Sequence, residues 1–369
     1  MAPAPNLTPP SRPRRRPRKW RVLLLVLLAA VLVVAISVGR ALAAPGSDST
    51  AARLAEWARG HGLSAVVDRL ERATYRAPAV GGIPARTSPL AHATTAPPVS
   101  GSLPPITALA SPALPGEGSW RIVTTVGGKP ALQVAYLRPD DLHTSYTAGV
   151  AWMDPGLLRF VLHPGIEEPG GGPWPVGSSL TAGERRALVG AFNGGFRLDA
   201  ARGGFFQGGR TVGALRIGAA SFVITNDGRA TVGQWGRDIG PGPTVGAVRQ
   251  NLDLLVDGGH VVPGIADNSN GRWGQTLGNK LYVWRSGIGQ TTSGALVYVA
   301  GNRLSASTLA ELLRRAGSIR AMELDINPEW TSFVTFPTET NLLPDMQRSP
   351  RRYDTTSTRD FFAVLRRSA

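Results

Sequence analysis

Residues 319–327 follow an apolar helix and read as a strand in which period-two alternation places Glu323, Asp325 and Asn327 on one face and Met322, Leu324 and Ile326 on the other. Two carboxylates and an amide on one face of an otherwise apolar strand require partners, because burying them alone is costly. Either a solvated cleft or a salt-bridged layer meets that requirement, and the cleft makes the three residues a candidate site. Arg285, just after the apolar run 281–284, is a candidate cation for the same cleft. A second segment, Ala191-Phe192-Asn193-Gly194-Gly195-Phe196, adds an amide that can donate and accept, together with paired glycines that let backbone approach a ligand closely.

Other chemistries lack their residues. There is no G-x-S-x-G elbow, Walker A loop or H-E-x-x-H helix. His143, His163 and His260 are too scattered to suggest a metal triad, and zero cysteines exclude disulfides and thiolate metal sites. The sequence therefore implies no cofactor and no metal site, with a divalent cation left open. Asp227-Gly228 and Asp257-Gly258-Gly259 sit between apolar runs and read as hairpin turns, so their acids are turn formers.

The elements that position these residues are short. Runs at 121–126, 132–137, 211–217, 221–225, 281–284 and 295–300 have strand character. Helical patterns occupy 181–188, opened by a Thr181/Glu184 capping box, and 307–316, where Leu309, Leu312 and Leu313 share a face. The expected fold class is α+β, a mixed β-sheet domain with a few helices over residues 119–369. Before it, 51–75 reads as a juxtamembrane helical hairpin broken at Gly60 and Gly62. Residues 77–118, rich in Pro, Ala, Ser and Thr, read as an extended, mostly disordered linker.

At the front, a basic head (1–21) precedes an uncharged apolar stretch (22–39) close to the length of a bilayer core. The expected outcome is a single-pass signal anchor with the C-terminal domain outside the cytoplasm. Ala41-Leu42-Ala43 offers the alternative of cleavage near Ala43 and secretion. The formal charge of +15 does not signal nucleic acid: eight positive charges and no acid lie in residues 1–40, which leaves +7 for the rest. The expected partners are the membrane, through the N-terminal helix, and a cell-wall or surface glycan within reach of the linker.

Three segments in order resemble the phosphodiester glycosidase family, which includes the animal mannose-6-phosphate uncovering enzyme and many exported bacterial proteins. They are Asn193-Gly194-Gly195-Phe196, Arg285-Ser286-Gly287-Ile288-Gly289 and Leu324-Asp325-Ile326-Asn327, spread over residues 119–369. The family has a glycine pair where Ile326 and Asn327 stand, and small hydroxyl residues where Pro328-Glu329-Trp330-Thr331 stand, so this loop must differ in shape. The resemblance implies cleavage of a sugar C1 to phosphate-oxygen bond in a carbohydrate phosphodiester. It makes Asp325 the carboxylate facing the anomeric carbon, as nucleophile or as base for water. Glu323 would modulate it or hold hydroxyls, Arg285 would grip phosphate, and Asn193, Gly194, Gly195 and Asn327 would orient substrate. The alternatives are a non-catalytic envelope protein binding anionic glycan in the same cleft, and a scaffold using Trp152, Trp174, Trp273, Trp284 and Trp330 as interface anchors.

Overall fold

The computed structural model describes residues 18–44, 48–92, 101–274 and 281–367. The fold is α+β, dominated by three sheets with six α-helices among the described residues. Strand neighbours within each sheet run antiparallel. The eight-stranded sheet carries the strands Val283–Thr291, Leu296–Leu304 and Ser318–Glu323 near its middle. One five-stranded sheet contains Leu188–Asn193, Phe333–Thr335 and Phe361–Arg366; the other contains Ala220–Thr225 and Val245–Gln250.

The three sheets share one apolar core. Ile288, Tyr298, Met322 and Leu324 from the first meet Phe192, Phe333 and Phe362 from the second and Phe222 from the third. Phe192 lies at the centre, stacked on Phe333 and Phe362 at ring-centroid distances of 5.9 and 5.0 Å and edge-on to Phe222 at 6.3 Å. The opposite face of the large sheet is covered by helix Ala306–Arg315, which buries Leu309, Leu312 and Leu313. Ser305 caps that helix by accepting from Thr308 N at 3.0 Å, and Gly317 at φ 93° follows its end. The helix lies close to its sheet because Gly287 has no side chain, since a Cβ there would sit 3.0 Å from Leu313 Cδ1.

The alternation expected for 319–327 holds only in part. The strand ends at Glu323; Met322 and Leu324 enter the central core, while Ala321 faces the helix side. The expected strand 211–217 shrinks to Arg210–Val212, after which the chain turns and leaves Ile217 exposed. The expected strand 281–284 instead begins at Val283 and runs on to Thr291, so the Arg285–Gly289 motif is itself strand. Gly258 and Gly259, at φ 56° and 78°, form the two-residue turn between Leu254–Asp257 and His260–Val261.

Residues 101–118 are not a disordered spacer. Ile106 and Ala110 are buried, and Ile106 N and Gly118 N donate to Gly118 O and Tyr136 O at 2.9 Å each. Arg138 fixes the irregular path, pairing with Glu117 at 2.8 Å and donating to the carbonyls of Ala110 and Pro112. These carbonyls are satisfied by a guanidinium rather than by a ladder, so the segment has no periodicity to read. Residues 88–90 are also tied to the domain, through Ser88 Oγ to Thr147 Oγ1 at 2.7 Å and buried Leu90; residues 93–100 of the expected linker lie outside the described residues. The tryptophans proposed as interface anchors are buried or half-buried, with Trp273 and Trp284 in the core clusters.

Ahead of the domain, helix Arg18–Leu42 contains a 24-residue stretch, Lys19–Leu42, whose most apolar 18 residues have a mean hydropathy of 3.2 and are unburied, long and apolar enough to cross a membrane. Helices Thr50–Gly60 and Ser64–Thr74 follow, separated at Gly62, whose φ is 77°. Trp57 Nε1 donates to Ser37 Oγ at 2.9 Å, and Arg53 Nη1 donates to the carbonyls of Leu42 and Ala44 at 2.5 Å each, which folds Thr50–Gly60 back against the end of the apolar helix.

Because Phe192 joins all three sheets, Phe192→Ala is expected to cost roughly 3–5 kcal/mol. Urea unfolding of the detergent-solubilised chain measures this; a loss below about 1 kcal/mol would show that the sheets do not share one core.

Candidate functional site

Asn193 ends the strand Leu188–Asn193 and is buried at the junction of two sheets. Its Nδ2 donates to Gly194 O at 2.8 Å and Ser286 Oγ at 3.1 Å, while its Oδ1 accepts from Tyr298 Oη at 2.9 Å and Ser332 N at 3.1 Å. Ser286 Oγ in turn accepts from Asp325 N and donates to Asp325 O, both at 3.2 Å. The three motif segments therefore converge. Their polar groups, however, are largely turned on one another. Burial holds the Tyr298 hydroxyl well above its usual range, so it remains a donor to Asn193.

Arg285 does not face the cleft. Its side chain is 1% exposed; Nε donates to Leu304 O at 3.0 Å, Nη1 to Trp273 O at 3.1 Å, and Nη1 also to Glu323 Oε1. Glu323, equally buried, is committed to this pair, and burial raises its pKa despite the guanidinium. Of the two settings open for the carboxylate face, Glu323 occupies the salt-bridged layer. Arg285 and Glu323 thus tie strand to strand beneath the site instead of presenting groups to a ligand.

Gly194 and Gly195 answer to packing. Gly194 N donates to Asp360 O at 2.9 Å, and a Cβ at Gly194 would lie 2.1 Å from Asp360 Oδ2. Beneath the loop runs a buried ion pair, Arg249 Nε to Asp360 Oδ2 at 2.8 Å, which also reaches the loop carbonyl of Phe196. Asn327 shapes the turn: its N donates to Asp325 Oδ1 at 2.8 Å, and its Oδ1 accepts from Glu329 N at 2.9 Å.

Asp325 lies past the end of its strand, with Oδ2 3.5 Å from Arg359 Nη2. Burial pushes its carboxyl up to about 6; Arg359 and the amide donors of Asn327 and Ile326 oppose this but do not cancel it. Arg359 also donates to Gly195 O at 3.2 Å and lies over the Trp330 ring at 5.0 Å. Its Nε is buried without a hydrogen-bond partner among the described residues. Arg348 and Arg352 approach the same ring at 5.3 and 5.7 Å. On the far side of Trp330 a cavity of about 270 Å³ opens between Arg197, Trp330 and Thr358 of the domain and Asp48, Glu56 and Trp57 of the segment that follows the apolar helix.

Arg197 and Trp330, which line the cavity, and Arg359 and Arg348, which lie against the Trp330 ring, were not singled out for the cleft from sequence. They come from loops, where no periodicity marks a common face. The signals available were a Ser357-Thr358-Arg359-Asp360 run directly before an apolar strand and the arginines around Pro350. Among the described residues no group of three or more His, Cys, Asp or Glu is placed to hold a metal. His163 pairs with Glu184 at 3.3 Å, and His143 with Asp140 at 2.9 Å.

No family model and no curated protein matches the chain. Among solved structures, the chain is similar to a hypothetical protein from Synechocystis, with 15% identity and a TM-score of 0.38, covering 66% of this chain and 64% of that one. It is also similar to a protein of Burkholderia pseudomallei thought to be exported, with 14% identity and a TM-score of 0.33, covering 62% of this chain and 75% of that one. The chain thus spans under two thirds of the length of the first.

The pKa of Asp325 fixes the sign of a pH effect. The folded protein holds the proton up to about pH 6, whereas the unfolded chain releases it near 4, so stability falls as pH rises through this window. Relative to Asp325→Asn, the wild-type chain is expected to lose on the order of 2–3 kcal/mol between about pH 4 and pH 7. Urea midpoints of both proteins across that range test this, and a constant difference would place Asp325 in a solvated setting.

Proposed function

We propose that the chain is an exported, membrane-anchored hydrolase that cleaves a sugar-1-phosphodiester in envelope or surface glycan, with Asp325 as the base. The observation that carries this reading is a buried carboxylate with a pKa of about 6 facing Arg359, which lies over the ring of Trp330, a residue of the cavity wall. A base works best when its pKa lies near the operating pH, and about 6 meets that condition. Glu323, the carboxylate expected beside it, is spent on Arg285, so a two-carboxylate retaining arrangement loses support.

In this reading Asp325 takes a proton from water as the water oxygen bonds to C1. The C1–O bond breaks, and its electron pair leaves with the phosphate monoester, whose second pKa near 6 lets it depart with little protonation. Arg359 replaces Arg285 as the cation nearest the departing phosphate; its unpartnered Nε supports that assignment. The apolar Lys19–Leu42 helix supports a membrane anchor with the domain outside the cytoplasm, cleavage near Ala43 being the alternative. A non-catalytic anionic-glycan binder is the second reading. It is favoured by Asp325 having no second carboxylate to work with, since Glu323 is held by Arg285, and by its being only 3% exposed.

On a sugar-1-phosphodiester substrate, kcat/KM is expected to rise with an apparent pKa near 6. Asp325→Asn should lower it by roughly 10³-fold or more while the chain stays folded. Arg359→Gln should raise KM and lower kcat. Turnover by Asp325→Asn at the wild-type rate would remove the base assignment, and glycan binding without turnover in the wild-type chain would establish the second reading.

A further inference from the structure

Beside Asp325 the cleft carries further cationic and hydroxyl donors, and the chain's own acids fill them. Arg348 Nη2 donates to Asp48 Oδ1 at 2.6 Å and Thr358 Oγ1 to Asp48 Oδ2 at 2.5 Å, so one carboxylate is held at both oxygens. Arg197 Nη1 donates to Glu56 Oε2 at 2.5 Å, and Arg359 Nη1 lies 3.8 Å from Glu56 Oε1. Every donor belongs to the domain, and both acceptors belong to the membrane-proximal segment. The side chains of Arg348 and Arg359 are only 4% and 7% exposed, so these are built positions and not surface ion pairs.

Apolar packing does little to hold this segment down. Helix Thr50–Gly60 buries Ala52 alone, and Val67 is the buried residue of Ser64–Thr74 among the described side chains. The contact is therefore chiefly ionic, and an ionic contact exchanges readily for another anion that offers the same oxygens to the same forks. The donors would stay in place if the segment left. Arg197 also lies 3.5 Å from Glu168 Oε1, Arg348 4.0 Å from Glu329 Oε2, and Arg359 keeps Asp325 and Gly195 O.

We propose that Arg197, Arg348, Thr358 and Arg359 form an oxyanion subsite for the phosphate of a phosphodiester substrate. Asp48 and Glu56 occupy it as carboxylate stand-ins that substrate must displace. This rests on reading the cleft as a phosphodiester site. It makes helix Thr50–Gly60 a competitor of substrate, and the subsite one that opens only when that helix lifts.

The test uses the full chain in detergent and inorganic phosphate as the probe, so that binding is read without turnover. By calorimetry, Asp48→Asn/Glu56→Gln should bind phosphate at least about tenfold more tightly than wild type, and adding Arg348→Gln should abolish the gain. Hydrogen exchange on the wild-type chain is the second measurement: amides of residues 50–60 should lose protection as phosphate is titrated. Equal phosphate affinity in wild type and the double variant, or unchanged protection at saturating phosphate, overturns the subsite. A chain that binds phosphate as expected yet hydrolyses no sugar phosphodiester sinks the catalytic reading and leaves the subsite standing.

Discussion

The carboxamide of Asn193 uses both protons and both lone-pair directions on four groups, three of them on other segments, and the rest of the site is built outward from it. An amide buried this deeply is tolerated only when fully satisfied, so it sets the spacing between Ser286, Tyr298 and Ser332 with little freedom. Ser286 passes that geometry to the backbone of Asp325, and the Asp325 carboxyl is then held by the turn that Asn327 makes. A shift at any of these segments would be felt at the carboxylate. Precision at the cleft thus comes from an inert amide two contacts away.

Arginine carries the polar part of this architecture. Three pairs, Arg249 with Asp360, Arg285 with Glu323 and Arg138 with Glu117, are buried, and each guanidinium also reaches a backbone carbonyl. A planar fork with five donors can satisfy an acid and a carbonyl at once, which an ammonium on a flexible stem does less well. With 37 arginines against three lysines and no cysteine, the chain closes its loops by guanidinium bridges and not by covalent ones.

Helices 181–188 and 307–316 were legible because their caps and apolar spacing are local: Thr181 and Glu184 form the capping box, and Leu309, Leu312 and Leu313 form the buried face. The convergence of Asn193, Ser286 and Asp325 was legible as motif order but not as geometry. Period two could place Glu323 and Asp325 on one face only while the strand lasted, and it ends between them, which sends one into a sealed pair and the other to the cleft. Arg348 and Asp48 were illegible for a different reason. They meet across 300 residues of chain, from loops whose local sequence resembles any solvated stretch. The segment 101–118 was misread because Pro and Ala composition reports lack of regular structure and says nothing about burial.

The Ala41-Leu42-Ala43 signal lies where helix Arg18–Leu42 is still wound, and Arg53 grips the carbonyls of Leu42 and Ala44 on either side of Ala43. A peptidase reads its substrate as an extended strand, so the bond after Ala43 is shielded for as long as Arg53 stays docked. If the chain is cleaved there, the cut must come before helix Thr50–Gly60 docks or after Arg53 lets go of both carbonyls.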